Sequence, residues 1–131
     1  KVFNNDKVLL ITANEDAGQI KKFEDKGVDV LSLPNQFGKV DLRALAKELG
    51  KRQFNEVLTE AGCNLHSALL REGIFDEIIV YYAPIAMGVG GRGMLNIGDV
   101  ATMADVPRFV VKEVTTIGPD IRVRAFPKLG D

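Results

Sequence analysis

The junction Glu60-Ala61-Gly62-Cys63-Asn64-Leu65 is where this sequence offers chemistry. A strand-forming run, Glu56-Val57-Leu58-Thr59-Glu60, ends there, and Asn64 is placed to cap a helix whose inner face is Leu65, Ala68 and Leu69. The first N–H groups of a helix have no partner inside it, and the helix dipole adds partial positive charge. Such a junction therefore attracts an anion such as a pyrophosphate, and Gly62 permits close backbone approach. A strand-glycine-helix junction is more often only a tight turn, and GxGxxG is not present, since only one of its glycines is. Glu60 lies at the carboxyl end of the strand, where open α/β sheets bind ligands. Capping the next helix, or pairing with a basic residue, would equally explain it.

A second run, Gly88-Val89-Gly90-Gly91-Arg92-Gly93, could cradle a phosphate with Arg92 as counter-charge, although a flexible surface loop is the plainer reading. His66 is the one histidine and Cys63 the one cysteine. A histidine-based triad, a multi-histidine or multi-thiolate metal site and a disulfide framework are all excluded within the chain. No catalytic residue and no metal ligand is assigned. His66 reads as a polar residue of the first helical turn. Cys63, at a helix N-terminus, has no identifiable base beside it and reads as packing.

The elements that must position these residues follow from periodicity. Val8 to Thr12 is β-rich and closed by the polar Ala13-Asn14-Glu15-Asp16, which suits a helix start; Ile20 and Phe23 share its face, and Gly27 stops it. Val28 to Leu33 is the next strand, ended by Pro34-Asn35. Asp41 precedes Leu42, Leu45, Ala46 and Leu49, an i, i+3, i+4, i+7 stripe that predicts a helix ended by Gly50. After the strand and helix around Gly62, Gly73 closes the helix and Glu77 to Ala83 is a strand ended by Pro84. Strands and helices alternate, which predicts a largely parallel sheet covered by helices. The last third differs: Phe109 to Thr116 and Ile121 to Phe126 flank Gly118-Pro119-Asp120, an antiparallel hairpin. Arg122 and Arg124 alternate there with Ile121, Val123 and Ala125, as in a half-exposed strand.

With 131 residues, 46% of them hydrophobic, the chain is sized for one domain, residues 1–131. Seventeen Lys and Arg against 18 Asp and Glu leave a formal charge of -1 with no basic stripe, so nucleic acid is not expected as a partner. The apolar runs are strand-length, far short of the roughly 20 residues that span a bilayer. Neither a membrane span nor a signal peptide is expected, and a lone cysteine suits the cytoplasm.

Val57 to Leu65, then Leu69-Leu70-Arg71-Glu72-Gly73-Ile74-Phe75-Asp76-Glu77, then Ala83-Pro84 and the glycine-rich loop, strongly resemble one known pattern. It is that of the reductase domain of the bifunctional riboflavin-biosynthesis deaminase/reductase family: V-L-V-E-G-G-x-x-L, L-x-x-G-L-x-D-E, and A-P. The resemblance runs in order over most of residues 40–98. It implies a dihydrofolate-reductase-like α/β fold, a three-layer αβα arrangement with a mostly parallel mixed sheet and a C-terminal antiparallel hairpin. The implied reaction is NADPH-dependent reduction of the ribosyl group of 5-amino-6-(5-phosphoribosylamino)uracil, or its diaminopyrimidinone analogue, to ribityl.

The resemblance further implies that Glu60 contacts substrate and that Gly62, Cys63, Asn64, Leu65, His66, Ser67 and Ala68 line the cofactor. By likeness to dihydrofolate reductase, Thr12 to Asn14 would face the adenosine 2'-phosphate. Ala61 departs from the pattern by standing where the family has its first glycine. The family's reductase domain also has strands and a helix before the position of Val8. The chain is therefore expected to be an N-terminally incomplete reductase domain, inactive by itself, and a homodimer because its apolar sheet surface needs a cover. Two other readings compete. A dihydrofolate-reductase-type enzyme would share the fold but lacks the counterparts of Glu60 and of Asp76-Glu77. A non-catalytic nucleotide-binding or dimerisation module would need neither.

Overall fold

Residues 8–128 are described by the computed structural model of this chain. The chain divides between Val57 and Leu58 into two compact units.

In the first unit, strand β1 (Leu9–Thr12) leads through helix α1 (Ala17–Glu24) to strand β2 (Asp29–Ser32), which lies parallel to β1 with Leu9 opposite Asp29 and Thr12 opposite Ser32. A parallel pair needs a crossover, and the sequence supplies its stops and starts. Asp16 caps α1 by accepting from the N–H groups of Gly18 and Gln19 at 2.8 and 3.1 Å. Gly27, at φ 77°, turns the chain out of the helix, so that the Val28 N–H reaches the Phe23 carbonyl at 3.1 Å and the Val28 side chain is buried.

Helix α2 (Leu42–Lys51) starts as expected at Asp41, whose Oδ1 accepts from the Ala44 N–H at 2.8 Å, and it buries Leu42. Its end is a correction. Gly50 lies inside the last turn, and the left-handed residue is Gln53, at φ 65°. Arg52 closes this end by reaching Asp29 at 2.7 Å and Glu48 at 3.2 Å, which anchors the helix to the start of β2.

In the second unit, helix α3 (Cys63–Glu72) ends at Gly73, φ 61°, as its sequence predicts. Strands β3 (Ile78–Tyr82), β4 (Phe109–Ile117) and β5 (Asp120–Pro127) form an antiparallel sheet in the order β3-β5-β4. The hairpin is the expected one, lengthened: Ile117 pairs with Asp120, and Gly118, at φ 59°, takes the left-handed first position of the two-residue turn. A bulge between Val111 and Glu113 bends β4. Phe75, beyond α3, meets Phe109 with ring centroids 6.2 Å apart.

Two expectations need correcting. In place of a largely parallel sheet, only β1 and β2 pair in parallel among the described residues, and the three-stranded sheet is antiparallel throughout. Glu56 to Glu60 forms no strand: Val57 and Leu58 are 58% and 77% exposed, and the division between the units falls inside this segment. The β-propensity of Val57, Leu58 and Thr59 is real, but a strand exists only where a neighbour completes its ladder. Arg122 and Arg124, on the half-exposed strand that the alternation predicts, are partly buried in an ion-pair ladder. Arg122 donates to Glu113, while Arg124 bridges Glu77 and Glu113. The Thr115 hydroxyl, at 2.7 Å, together with Arg122 and Arg124, holds the Glu113 carboxyl at a pKa of about 2. The Arg124 guanidinium likewise lowers that of Glu77.

Candidate functional site

Helix α3 begins without a side-chain cap. Gly62, not Asn64, is its N-cap residue, in an extended conformation (φ -82°, ψ 172°), and Asn64 lies within the first turn. The reason is local. The Asn64 Oδ1 takes a contact from the Cys63 thiol at 3.7 Å, and glycine brings no side-chain acceptor of its own. The first helical N–H groups are therefore not satisfied from the N-cap position, which is the state that favours an anion.

In front of them lies a cavity of about 570 Å³, lined by Ala61 through His66 and by Arg92, Gly93 and Met94. A Cβ built on Gly62 would meet nothing within 4 Å, so the backbone faces open space. The His66 Nε2 accepts from the Ala61 N–H at 3.2 Å and shapes the turn that leads into the helix. Arg92 has no carboxylate partner among the described residues, and it brings the cavity a full positive charge.

The structure thus brings Gly62, Cys63, Asn64, Leu65 and His66 together on one cavity. Ser67 and Ala68 continue the same helix but are not in the lining. Ser67 is fully buried: its hydroxyl donates to the Cys63 carbonyl at 2.5 Å and accepts from the Asn96 N–H at 2.6 Å. Glu60 is exposed, just ahead of the turn and outside the lining.

Thr12 and Asn14 belong to the first unit, at the carboxyl end of β1. The Thr12 Oγ1 accepts from the Asn14 N–H at 2.9 Å. The Asn14 side chain accepts from the Asp16 N–H at 2.8 Å and donates to Gln19 at 3.0 Å. Ser32 of β2 donates to the Asn14 carbonyl at 2.9 Å, so this corner is held from both strands.

Sequence reasoning offers Arg92 as a counter-charge beside the plainer reading of a surface loop, and it misses Met94 and the attachment of the loop at Asn96. Its signal was Ser67 itself, a serine inside a helix four residues after Cys63, where such side chains bond back to the helix or to a neighbour. Among the described residues no group of His, Cys, Asp and Glu is arranged to hold a metal ion, and no helix is long and apolar enough to cross a membrane.

Comparison with known proteins matches residues 1–123 to the model of the RibD C-terminal domain family. The riboflavin biosynthesis protein RibD of Escherichia coli (strain K12) is 42% identical over 94 residues, 72% of this chain and 26% of that protein. A 5-amino-6-(5-phosphoribosylamino)uracil reductase of Buchnera aphidicola subsp. Acyrthosiphon pisum is 34% identical over 90 residues, 69% of this chain and 44% of that one. Among solved structures, Acinetobacter baumannii RibD, form 2, superposes with a TM-score of 0.83 at 34% identity, over 98% of this chain and 33% of that chain. The chain spans about a quarter of the length of the Escherichia coli relative and a third of the Acinetobacter structure. The fold is α/β and dihydrofolate-reductase-like, as the resemblance implied.

Proposed function

The chain belongs to the RibD C-terminal domain family, and from that premise we propose that it holds NADPH in the reduction of the ribosyl group of 5-amino-6-(5-phosphoribosylamino)uracil, or its diaminopyrimidinone analogue, to ribityl in riboflavin biosynthesis. One observation carries the reading: the uncapped start of α3 opens onto a cavity that also receives Arg92. A volume of about 570 Å³ is within the range of small-molecule sites, roughly 300–1,000 Å³. The groups present suit a dinucleotide phosphate, with backbone N–H donors at Gly62, Cys63 and Asn64, a guanidinium in the lining, and Leu65 and Met94 as apolar wall.

NADPH, when bound, supplies the hydride for the reduction. The work of this chain is to bind and orient it. The N–H groups at the helix start fix the phosphates and Arg92 offsets their charge, while Ser67 and Ala68 lie outside the lining. Glu60, just ahead of the turn, is the group we assign to a substrate hydroxyl or ring N–H. Thr12 and Asn14 are assigned to the adenosine 2'-phosphate. One family match runs across both units, which supports reading them as parts of a single reductase domain. A homodimer in the cytoplasm is our reading of the assembly. In its support, Val110, Val111 and Val114 on edge strand β4 are 41%, 54% and 63% exposed.

The test is a pair of measurements on the whole protein: NADPH binding by titration calorimetry, and NADPH consumption with the ribosylaminopyrimidine phosphate. Binding accompanied by formation of the ribityl product is expected. A folded protein that binds NADPH without turnover would leave a nucleotide-binding module, and one that does not bind NADPH would remove the reading altogether.

A further inference from the structure

The glycine-rich segment carries Arg92 to the cavity, yet residues 83–108 contain no helix and no strand that would hold it there. Such a segment would sample many conformations, at an entropic cost of about 1–2 kcal/mol for each residue that must be fixed when a ligand binds. The structure instead pins it at Asn96, four residues after Arg92. Both polar groups of the Asn96 backbone are bonded to side chains of α3: its N–H donates to the Ser67 hydroxyl at 2.6 Å, and its carbonyl accepts from the Arg71 guanidinium at 3.1 Å.

Ser67 and Arg71 are one helical turn apart, so they reach the loop from the same helix face. The Ser67 hydroxyl spends its proton on the Cys63 carbonyl at 2.5 Å, which leaves its oxygen oriented as an acceptor for the loop. Ser67 has no exposed surface, so ligand contact is not what occupies its side chain.

We propose that Ser67 and Arg71 are positioning residues: by clamping Asn96 to α3 they hold the glycine-rich loop so that Arg92 stands ready, on the cavity in front of the helix N-terminus, for a phosphate group of the bound nucleotide. The ligand chemistry is a nucleotide phosphate, and the inference rests on the cofactor-site reading above. The clamp uses the helix that supplies the N–H donors, so donors and counter-charge move as one body. It follows that Ser67 acts on nucleotide affinity only through Arg92.

A double-mutant cycle on the whole protein tests this, with NADPH dissociation constants and melting temperatures for Ser67→Ala, Arg92→Ala and the double variant. Arg92→Ala is expected to weaken NADPH binding by roughly tenfold or more, as the loss of a charge-assisted contact. Ser67→Ala should weaken it by roughly three- to tenfold. In the Arg92→Ala background Ser67→Ala should have almost no further effect, because the loop it holds no longer brings a charge. Arg71→Lys, which keeps a donor, should retain more affinity than Arg71→Ala.

If Ser67→Ala lowers the melting temperature alone, or lowers affinity equally with and without Arg92, the positioning role is overturned. If Arg92→Ala leaves affinity unchanged while Gly62→Val abolishes it, the clamp is overturned and the cofactor site stands. If neither changes NADPH affinity, both readings fall. Should the Ser67→Ala protein not fold, Ser67→Thr and the Arg71 pair carry the same comparison.

Discussion

Adding a side chain at Gly62 separates ligand binding from folding unusually cleanly. The residue is extended, at φ -82° and ψ 172°, a region that valine prefers, and a Cβ there touches nothing within 4 Å. Replacing glycine should stabilise the chain by about 0.4–1 kcal/mol through the unfolded state. Valine is a poorer N-cap residue than glycine, by an amount of the same order. These terms offset, so Gly62→Val should melt within a few degrees of the parent.

The cavity pays the difference, because the added methyl groups project into the space that faces the first helical N–H groups. Losing one charge-assisted hydrogen bond to a phosphate, about 1.5–3 kcal/mol, raises the NADPH dissociation constant roughly ten- to a hundredfold. Gly62→Ala, with one carbon added, should fall between the parent and the valine variant. Titration calorimetry and thermal denaturation on the same preparations of the whole protein read both quantities. An unchanged dissociation constant in a folded Gly62→Val variant would refute the placement of the phosphates at this helix end.

Three further outcomes are expected. Glu60→Gln should lower kcat/KM for the ribosylaminopyrimidine roughly ten- to a hundredfold, the loss of a charge-assisted bond of about 1.5–3 kcal/mol, with NADPH affinity nearly constant; a melting temperature that falls while kinetics hold would assign Glu60 to capping instead. Glu113→Gln should lower the melting temperature at neutral pH. Because the folded carboxyl is held at about 2, below its ordinary 4.5, that stabilisation is present above pH 4.5 and is lost as pH falls toward 2. Melting curves of parent and variant should therefore converge across this window, and a gap independent of pH would speak against the ladder. Asp41→Ala removes the acceptor for the Ala44 N–H and should cost about 1 kcal/mol, read by urea denaturation as a lower midpoint with an unchanged slope.

What was legible in the sequence is what short-range physics decides. Asp41 at a helix start, the polar stretch ending in Asp16 before another, Gly27 and Gly73 at helix ends, and the Gly118 turn are each set by a few neighbouring residues, and each lies where the sequence puts it. The boundary errors have the same scale. Gly50 looked like a stop, but Arg52, paired with Glu48 and Asp29, extends the helix end, and Gln53 takes the left-handed turn. Asn64 looked like a cap, yet Gly62 holds that position, so the helix start stays free of side-chain acceptors.

The features that were not legible are relations between distant residues. Val57-Leu58-Thr59 has the composition of a strand, but pairing is a property of two segments, and no residue of the run encodes its partner. Alternation of Arg122 and Arg124 with apolar residues describes one polar face without saying what meets it. Glu113 lies nine and eleven residues away and Glu77 forty-five and forty-seven, and their carboxylates make of the polar face a half-buried ladder. The site divides along the same line. The anion-favouring helix start at Gly62 is local and could be read directly. The bond that brings Arg92 within its reach joins Ser67 to Asn96 across 29 residues, through backbone groups that carry no sequence signature. A glycine-rich loop in a sequence therefore gives the chemistry it could supply, and only the buried serine facing it shows where that chemistry is delivered.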